Sequence, residues 1–475
     1  MWHSDRLAQR LAFVLCGLAT MVTACHQFTP LPLSPEKGAH ELASRRLDDS
    51  GLVAFLERNG QLGSGTTTAW DLDRLTLAAL FFQPALDVAR ARRSTATAAV
   101  ETAKARPNPT LALTPERSAN PGAAVSPWIA AVQLDWPLET AGKRARRIDR
   151  ARALEEAGRL DLDVAAHSVR MVLRQALTGL AVADARRERL EEILAAQREA
   201  VDMLDARVRA GAAALADVAP ARAALVQLTA DADDAERRAR ESRVRVATAI
   251  GVSVRAIEGK DLLFSLEDEG SDLLGVAADE ARDRALLSRS DVLAALARFR
   301  AAEAALRLEL ARQYPDVHLG NGFQYDQGQR KWMLGVSLEL PLLNRNQGGI
   351  AEAEAVRREA AAAFLTLQAQ VLGELERTLS IRAAARDEVL RLRDLVATQD
   401  AAFRRTRAAL ALGAVDRLSL AIARAERARA RLLLVEALGR LQQTLGELEA
   451  ALQAPLPWPD ALEPERPLFA GGSSP

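Results

Sequence analysis

The chain has 475 residues, 63 basic against 63 acidic, and only 4% aromatics. Zero net charge excludes the electrostatic footprint of a nucleic-acid binder. The dominance of Ala, Leu, Arg and Glu points away from a compact mixed core and towards long helices and coiled coils. In chain order the first element is a short basic start, Arg6 and Arg10, followed by the apolar run LAFVLCGLATMV at 11–22. That run is too short for a permanent membrane span and fits a secretory signal. It ends in VTAC, and both cysteines of the chain, Cys16 and Cys25, lie in this segment.

VTAC resembles a bacterial lipobox, with small Ala24 before Cys25. The resemblance implies a signal peptide over 1–24, cleavage before Cys25 and lipid attachment to its sulfur. His26 stands where Asp would hold such a lipoprotein at the inner membrane, so sorting to the outer membrane is permitted. An ordinary signal peptide cleaved nearby is the other reading of the same residues. QFTPLPLSPEKG then reads as a Pro-rich extended tether, and 25–75 as a lipid-anchored N-terminal tether and equatorial segment.

The rest of the chain is one plan stated twice. ARPNPTLAL at 105 matches ARQYPDVHL at 311, an offset of 206. LDWPLETAGKRARR, with Pro137, matches LELPLLNRNQGG, with Pro341, and GAAALADVAPAR at 211 matches GAVDRLSLAIAR at 413. Three matches in one order make an internal repeat. Repeat 1 covers 76–251 and repeat 2 covers 280–454, with an equatorial linker at 252–279 and a C-terminal tail at 455–475.

Each repeat predicts helix, strand, strand, very long helix, break, shorter helix. In the first, helices are expected near 76–105, 143–210 and 215–250 and strands near 109–115 and 127–137. In the second, helices are expected near 280–312, 349–411 and 416–453 and strands near 315–325 and 331–341. Positions 169, 173, 176, 180, 183, 187, 190, 194, 197, 201, 204 and 208 step by four and three and are apolar apart from Arg187 and Gln197. A repeat of 3.5 residues sustained this long demands a partner helix along a supercoiled seam. Ala385, Val389, Leu392, Val396 and Phe403 keep the rhythm in the second copy.

The strands alternate instead. Trp332, Leu334, Val336, Leu338 and Leu340 share one face, and Trp128, Ala130, Val132, Leu134 and Trp136 share another. Strands of about ten residues, apolar on one side with aromatics near their ends, suit a transmembrane barrel. For a single strand a soluble half-buried sheet explains the pattern equally well. Four strands cannot close a barrel, and an open edge is not tolerated in hydrocarbon, so a spanning chain must assemble.

PNPTL, GKRARRI, LPLLNRNQGGIAEAEA and the two Gly-led breaks resemble the TolC-like outer-membrane efflux factors over roughly 75–455. The lipobox and GKRARR resemble most the CzcC-like heavy-metal cation-efflux branch that serves RND-type pumps. The resemblance implies a mainly α protein with membrane β. It implies a homotrimer whose twelve-stranded outer-membrane barrel, four strands per chain, continues as a long periplasmic α-helical barrel. It also implies a periplasmic adaptor, an inner-membrane RND-type pump, surrounding outer-membrane lipid, and a cargo of heavy-metal cations or drugs. Pro137, Gly142, Pro341, Gly348 and Gly349 are the expected strand-to-helix elbow residues. Gly211, Leu215, Asp217, Gly413 and Leu418 are expected at the periplasmic tips facing the adaptor. Asp416, beside Arg417, is the candidate aperture charge. Ser419 stands where the first copy has Asp217, which puts a carboxylate ring built by both copies in doubt. The Gly-led breaks read equally as helix C-caps and the acids as caps of the next helices. GKRARR reads either as a cation ring at the barrel mouth or as a solvated helix start.

No GxSxG, HExxH, CxxC, Walker A or GxGxxG pattern occurs, so no enzyme, cofactor or dedicated metal site is expected. The competing class is a periplasmic coiled-coil structural lipoprotein without a pore. It accounts for heptads and anchor but leaves the alternating strands and paired elbows unexplained.

Overall fold

The structure, a computed structural model, describes residues 28–31, 33–60, 69–119, 125–268, 278–453 and 462. Cys25 and the proposed signal lie outside the described residues. The chain divides at Ser44. The first unit holds one helix, α1 (Pro35–Ser44). The Pro-rich tether expected through residue 38 therefore gives way to helix at Pro35, because proline fits the first helical position, where no amide donor is needed. The second unit, from Arg45, carries everything that follows.

In chain order that unit forms α2 (Ser50–Arg58), α3 (Leu72–Phe82), α4 (Pro84–Lys104), β1 (Thr110–Arg117), β2 (Trp128–Leu138), α5 (Lys143–Arg209) and α6 (Leu215–Ile250). A 3-10 turn at Val254–Ala256 leads to α7 (Ala278–Leu287), α8 (Ser290–Ala311), β3 (Val317–Asp326), β4 (Gln329–Leu338), α9 (Gln347–Ala411) and α10 (Arg417–Leu452). The 67 residues of α5 extend roughly 100 Å at 1.5 Å per residue.

Two expected helices are split. The helix expected over 76–105 breaks at Gln83, which is extended (ψ 115°) because the residue before a proline is driven out of helical space. The helix expected over 280–312 breaks at Arg289, extended at ψ 130°. The side chains at both breaks do the same work. Gln83 donates to the carbonyls of Thr248 and Ala249 at the end of α6, and buried Arg289 donates to the carbonyl of Ala451 at the end of α10. Each satisfies carbonyls that a helix end leaves without partners. These residues are 206 positions apart, so they extend the repeat to a position that the sequence does not advertise.

The long seam is present but is one of two. Val169, Leu173, Leu180, Ala183, Leu190, Leu194 and Val201 are buried as expected. A second stripe on α5, Leu177, Ile193, Ala196 and Ala200, is buried as well. The reason is that α5 packs against α6 on one side and α10 on the other, with α4 and α8 also laid along it. Ile193 shows this directly, clustering with Ala235 of α6 and Ala428 of α10. The largest core gathers at one level of the bundle, where Phe55, Leu75, Leu80 and Phe82 of α2 and α3 meet Leu162, Leu173 and Leu177 of α5 and Ile250 of α6. A smaller core in the second copy joins α7, α9 and α10 through Ala285, Val371, Leu375 and Leu448.

The four strands form one antiparallel sheet in the order β1-β2-β3-β4. Its outer edges, on β1 and β4, have no partner strand among the described residues. The second strand of the second copy ends at Leu338, so Leu340 and Pro341 lie beyond it, a correction to the strand expected through 341.

Candidate functional site

The sheet, two elbows and two tips are the parts that position functional groups. Register sorts the sheet into two faces. One carries Leu113, Val132, Phe323 and Trp332 in one row and Trp136, Leu319 and Val336 in another. Trp332 and Leu334 are 84% and 85% exposed, so none of the described residues covers this apolar face at β4. Phe323 and Trp332 pack edge-on at 5.1 Å across β3 and β4. Asn321 interrupts the face between Leu134 and Leu334, and the alternation read from the sequence did not include it. The opposite face carries Gln133, Asp135, His318, Gln324 and Lys331 with Gly320, Gly322 and Gly335. There His318 Nδ1 lies 2.8 Å from Asp135 Oδ2, and Lys331 pairs with Asp326 at 2.5 Å.

At the first elbow Pro137 is the penultimate residue of β2, opposite His318 on β3 and past the last β1 partner. It therefore removes no ladder donor on the β1 side. Gly142 then turns left-handed (φ +71°) at the start of α5. Thr140 donates its amide to Asp316 Oδ1 at 2.9 Å and its hydroxyl to the Pro315 carbonyl at 2.6 Å, and Lys143 Nζ reaches the same Asp316 oxygen at 2.7 Å. Burial pushes the Asp316 carboxyl up, but the Lys143 and Thr140 hydrogen bonds outweigh it and hold the group below the ordinary carboxylate range. Two of the three remaining cations of GKRARR are spent on the fold, and the third, Arg146, makes a local exposed pair with Asp149 at 3.4 Å. Arg144 donates to the Lys104 carbonyl, and Arg147 to the carbonyls of Ala103 and Ala105 and to both oxygens of Glu139. They cap the end of α4, where cations complement the helix dipole. The structure thus favours the helix-start reading of GKRARR over the cation ring.

The second elbow reaches the same end by other residues. Its left-handed position is Asn346 (φ +60°), and Gly348 and Gly349 are already helical, which corrects the expectation that these glycines make the turn. Asn346 Nδ2 donates to the carbonyl and to Oε2 of Glu309, both at 2.9 Å, tying α9 to the end of α8. Asn tolerates the left-handed region better than most residues and supplies a donor that glycine lacks. Gly349 matters for a different reason: a Cβ there would sit 2.5 Å from Asn346 Oδ1. At Gly348 a Cβ would meet nothing within 4 Å.

The tips are closely matched. Gly211 (φ +72°) and Gly413 (φ +73°) follow the ends of α5 and α9 in left-handed conformation. The amides two residues beyond each helix end close back on it, Gly211 onto Val208 and Gly413 onto Leu410. This is the C-cap that glycine makes without steric cost. Asp217, at the third position of α6, reaches back to the Ala214 amide at 2.9 Å. Asp416, preceding α10, reaches forward to the Ser419 amide at 2.8 Å and hydroxyl at 2.7 Å. Each copy therefore carries a carboxylate at the same helix start, Ser419 being the group Asp416 caps, so loss of an acid at 419 does not remove the charge from the second copy. Asp416 is also ion-paired with Arg207 of α5, so as an aperture candidate it is not a free charge. Arg417 is exposed and has no ion pair among the described residues. Leu215 is exposed and Leu418 half-buried. Sequence reasoning missed Arg207; its only signal was a cation facing the opposite copy's tip. Glu199–Arg424 at 3.1 Å continues the same tie between α5 and α10.

Among the described residues no group of three or more His, Cys, Asp or Glu is placed to hold a metal ion, and no helix is long and apolar enough to cross a membrane.

An open four-stranded sheet with one bare apolar face, joined by two elbows to two long helical hairpins, defines the protomer of an outer-membrane channel. The chain belongs to the outer membrane efflux protein family, whose model matches residues 78–252 and 281–453, one segment per repeat. Among solved structures it is similar to the outer-membrane channel OprN, with 20% identity, TM-score 0.68, and 90% of this chain and 98% of that one covered. It is also similar to the outer membrane protein VceC of Vibrio cholerae (21% identity, TM-score 0.64, 80% and 96% covered) and to CusC (17%, 0.64, 80% and 91%). No curated protein sequence matches it. The chain is an outer-membrane efflux channel component and not an enzyme, and the pore-less coiled-coil alternative is not favoured.

Proposed function

We propose that three copies of this chain close a twelve-stranded barrel in the outer membrane, continued by a helical barrel across the periplasm. The trimer is a passive exit duct. Substrate is handed to it by a periplasmic adaptor and an inner-membrane RND-type pump, with heavy-metal cations as cargo and drugs as the competing class. The observation that carries this reading is the sheet: apolar on one face, polar and glycine-lined on the other, with neither edge paired among the described residues. Such edges are tolerated in lipid only when another copy pairs with them. In this reading Cys25 is the acylated residue of the mature chain. Gly211, Leu215, Asp217, Gly413 and Leu418 present the tips to the adaptor, and 252–279 lies at the equator.

The cation cargo is supported by the lipobox and GKRARR resemblance alone. Deletion of the chain, followed by growth on a panel of metal salts and drugs, tests it. Sensitivity to cobalt, zinc or cadmium is expected, and sensitivity to drugs alone refutes the cation assignment. A heat-sensitive trimer in purified membranes tests the assembly, and a soluble monomer would sink it. Incorporation of labelled palmitate that is lost in Cys25→Ser tests the anchor.

A further inference from the structure

The polar face of the sheet holds its one histidine at the elbow end. His318 is the second residue of β3, opposite Pro137 on β2 and Ser337 on β4. Asp135, two residues back along β2, is diagonal to it, and its Oδ2 lies 2.8 Å from His318 Nδ1. An ionised carboxylate only accepts, so the proton of the neutral ring is on Nδ1 and the lone pair is on Nε2. Nε2 has no hydrogen-bond partner among the described residues, and the side chain is 42% exposed. The next row of this face runs Asp135, Gly320, Gly335, and a Cβ at Gly335 would meet nothing within 4 Å. Room for a ligand is therefore left beside the ring.

No free side-chain cation competes for this end of the face. Lys331, the one cation that the strands place there, is six residues from Ser337 along β4, roughly 20 Å at about 3.3 Å per residue, and is paired with Asp326. Lys143 at the first elbow is likewise held by Asp316. Glu339, the residue after β4, is exposed and has no ion-pair partner among the described residues. A carboxylate on one ring nitrogen is also what metal-bound histidines have, since it fixes the tautomer and raises the basicity of the other nitrogen. Imidazole suits divalent transition cations such as zinc and cobalt, whereas magnesium and calcium favour oxygen ligands. Among the described residues no third ligand joins the pair, so an ion here is held by one imidazole and water. A resident metal needs more, but an ion in transit must be bound weakly enough to leave.

We propose that His318 Nε2, with Asp135 on the other ring nitrogen, is a one-imidazole station for divalent transition-metal cations on the inner face of the barrel, three to a trimer. The station deepens the proposed cargo and rests on the proposed barrel, because closure with the apolar face towards lipid is what turns the polar face into a water-filled lumen.

The test is equilibrium dialysis of purified, untagged trimer against zinc at about pH 7.5, above the ordinary imidazole range, with and without excess magnesium. Wild type is expected to take up three more zinc ions per trimer than His318→Gln, and magnesium to leave that difference intact. Asp135→Asn still accepts from Nδ1 but lacks the charge, and should weaken this zinc about tenfold or more. A hydrogen bond of structural value alone predicts that both variants shift the temperature of trimer dissociation while zinc uptake stays as in wild type, and that result overturns the proposal. Loss of the difference in magnesium overturns the choice of transition metals in favour of any divalent cation at an acidic surface. A wild-type trimer that takes up no more zinc than His318→Gln sinks this inference alone and leaves the duct standing, whereas the absence of any trimer sinks the barrel with it.

Discussion

The helices α5 and α9 are the same element in the two copies, 67 and 65 residues long, yet nineteen residues of α5 are buried and six of α9. Their stripes correspond at an offset of 202. Val169 and Leu173 match Val371 and Leu375, and all four are buried. The second stripe diverges: Ile193 is 1% exposed, while its counterpart Leu395 is 36% exposed. Within one protomer α5 has neighbours on both sides, α6 and α10, whereas α9 has α10 along one side and α8 over part of its length. The repeat thus yields an inner helix and an edge helix from one pattern. The apolar residues on the edge helix read as surface held for a second copy.

The largest expected effect breaks this contrast at its centre. Ile193→Ala should cost about 3 kcal/mol of protomer stability, because a buried branched side chain is removed from between three helices. Leu395→Ala should cost the protomer well under about 1 kcal/mol, yet weaken the trimer. Denaturant unfolding of monomer and heat dissociation of trimer separate the two, and equal effects on both measurements would show that α9 is not an edge.

Next in size is the charge network that Arg170 centres on the inner helix. Arg170 of α5 binds Glu449 at 2.6 Å and Asp73 at 2.8 Å, joining α10 and α3. Arg170→Met leaves Asp73 without its cation and Glu449 with Arg174 alone, at 3.2 Å, and should cost about 2 kcal/mol, less than a fully buried pair because Asp73 is half exposed. A double-mutant cycle with Glu449→Gln should recover part of that loss. Nearby His167 is buried, and burial, with Arg170 and Arg289 adding to it, pushes its imidazole below its ordinary value against the opposing pull of Glu449 and Asp291, so it is neutral in the fold. Its contribution is present above about pH 6.5 and is lost as pH falls from there through the lowered folded value. His167→Gln should flatten that part of the stability profile.

The elbows provide a contrast of opposite sign within two adjacent residues. Gly349→Ala drives a methyl against Asn346 and should cost about 1–2 kcal/mol. Gly348→Ala, in open helical space, should stabilise by about 0.5 kcal/mol. Thermal unfolding of the two variants decides between the tie to Glu309 and simple turn flexibility as the reason for the double glycine.

Much of this was legible. Periodicity located α5, α6, α9 and α10 to within about two residues, because long helices with an apolar seam leave an unambiguous period. The internal repeat located all four strands, with alternation to support β2 and β4. What was not legible came from neighbours in space. The second stripe of α5 is buried only because α10 returns beside it. Arg289 breaks a helix to reach the Ala451 carbonyl, which no local signal announces. Asn346 replaces Gly142 at the left-handed position because Glu309 is there to receive it, so the glycines drew attention that belonged to the asparagine. At the tips, Ser419 read as a lost acid, although the carboxylate had only moved from the third helical position to the residue before the helix.

That displaced carboxylate gives the smallest effect and the finest contrast between the copies. Among the described residues Asp217 answers only its own backbone, while Asp416 also meets Arg207, so one cap carboxylate is tied electrostatically to the other copy and one is not. The Ser419 amide and hydroxyl, followed by Arg207, hold the Asp416 carboxyl down to about 2. A carboxylate depressed in the fold stabilises above its unfolded value near 4 and loses that contribution as pH falls towards 2. Hydrogen-exchange protection of the first turn of α10 should therefore drop between about pH 4 and pH 2. Asp416→Asn keeps an acceptor for Ser419, because asparagine is a good N-cap, but removes the charge. The variant should keep its cap at neutral pH and lose the acid-dependent drop. Arg207→Gln should retain most of the drop, since the Ser419 hydrogen bonds contribute ahead of the ion pair. If Arg207→Gln erased it instead, the tie between the copies, and not the cap, would be what fixes this helix end.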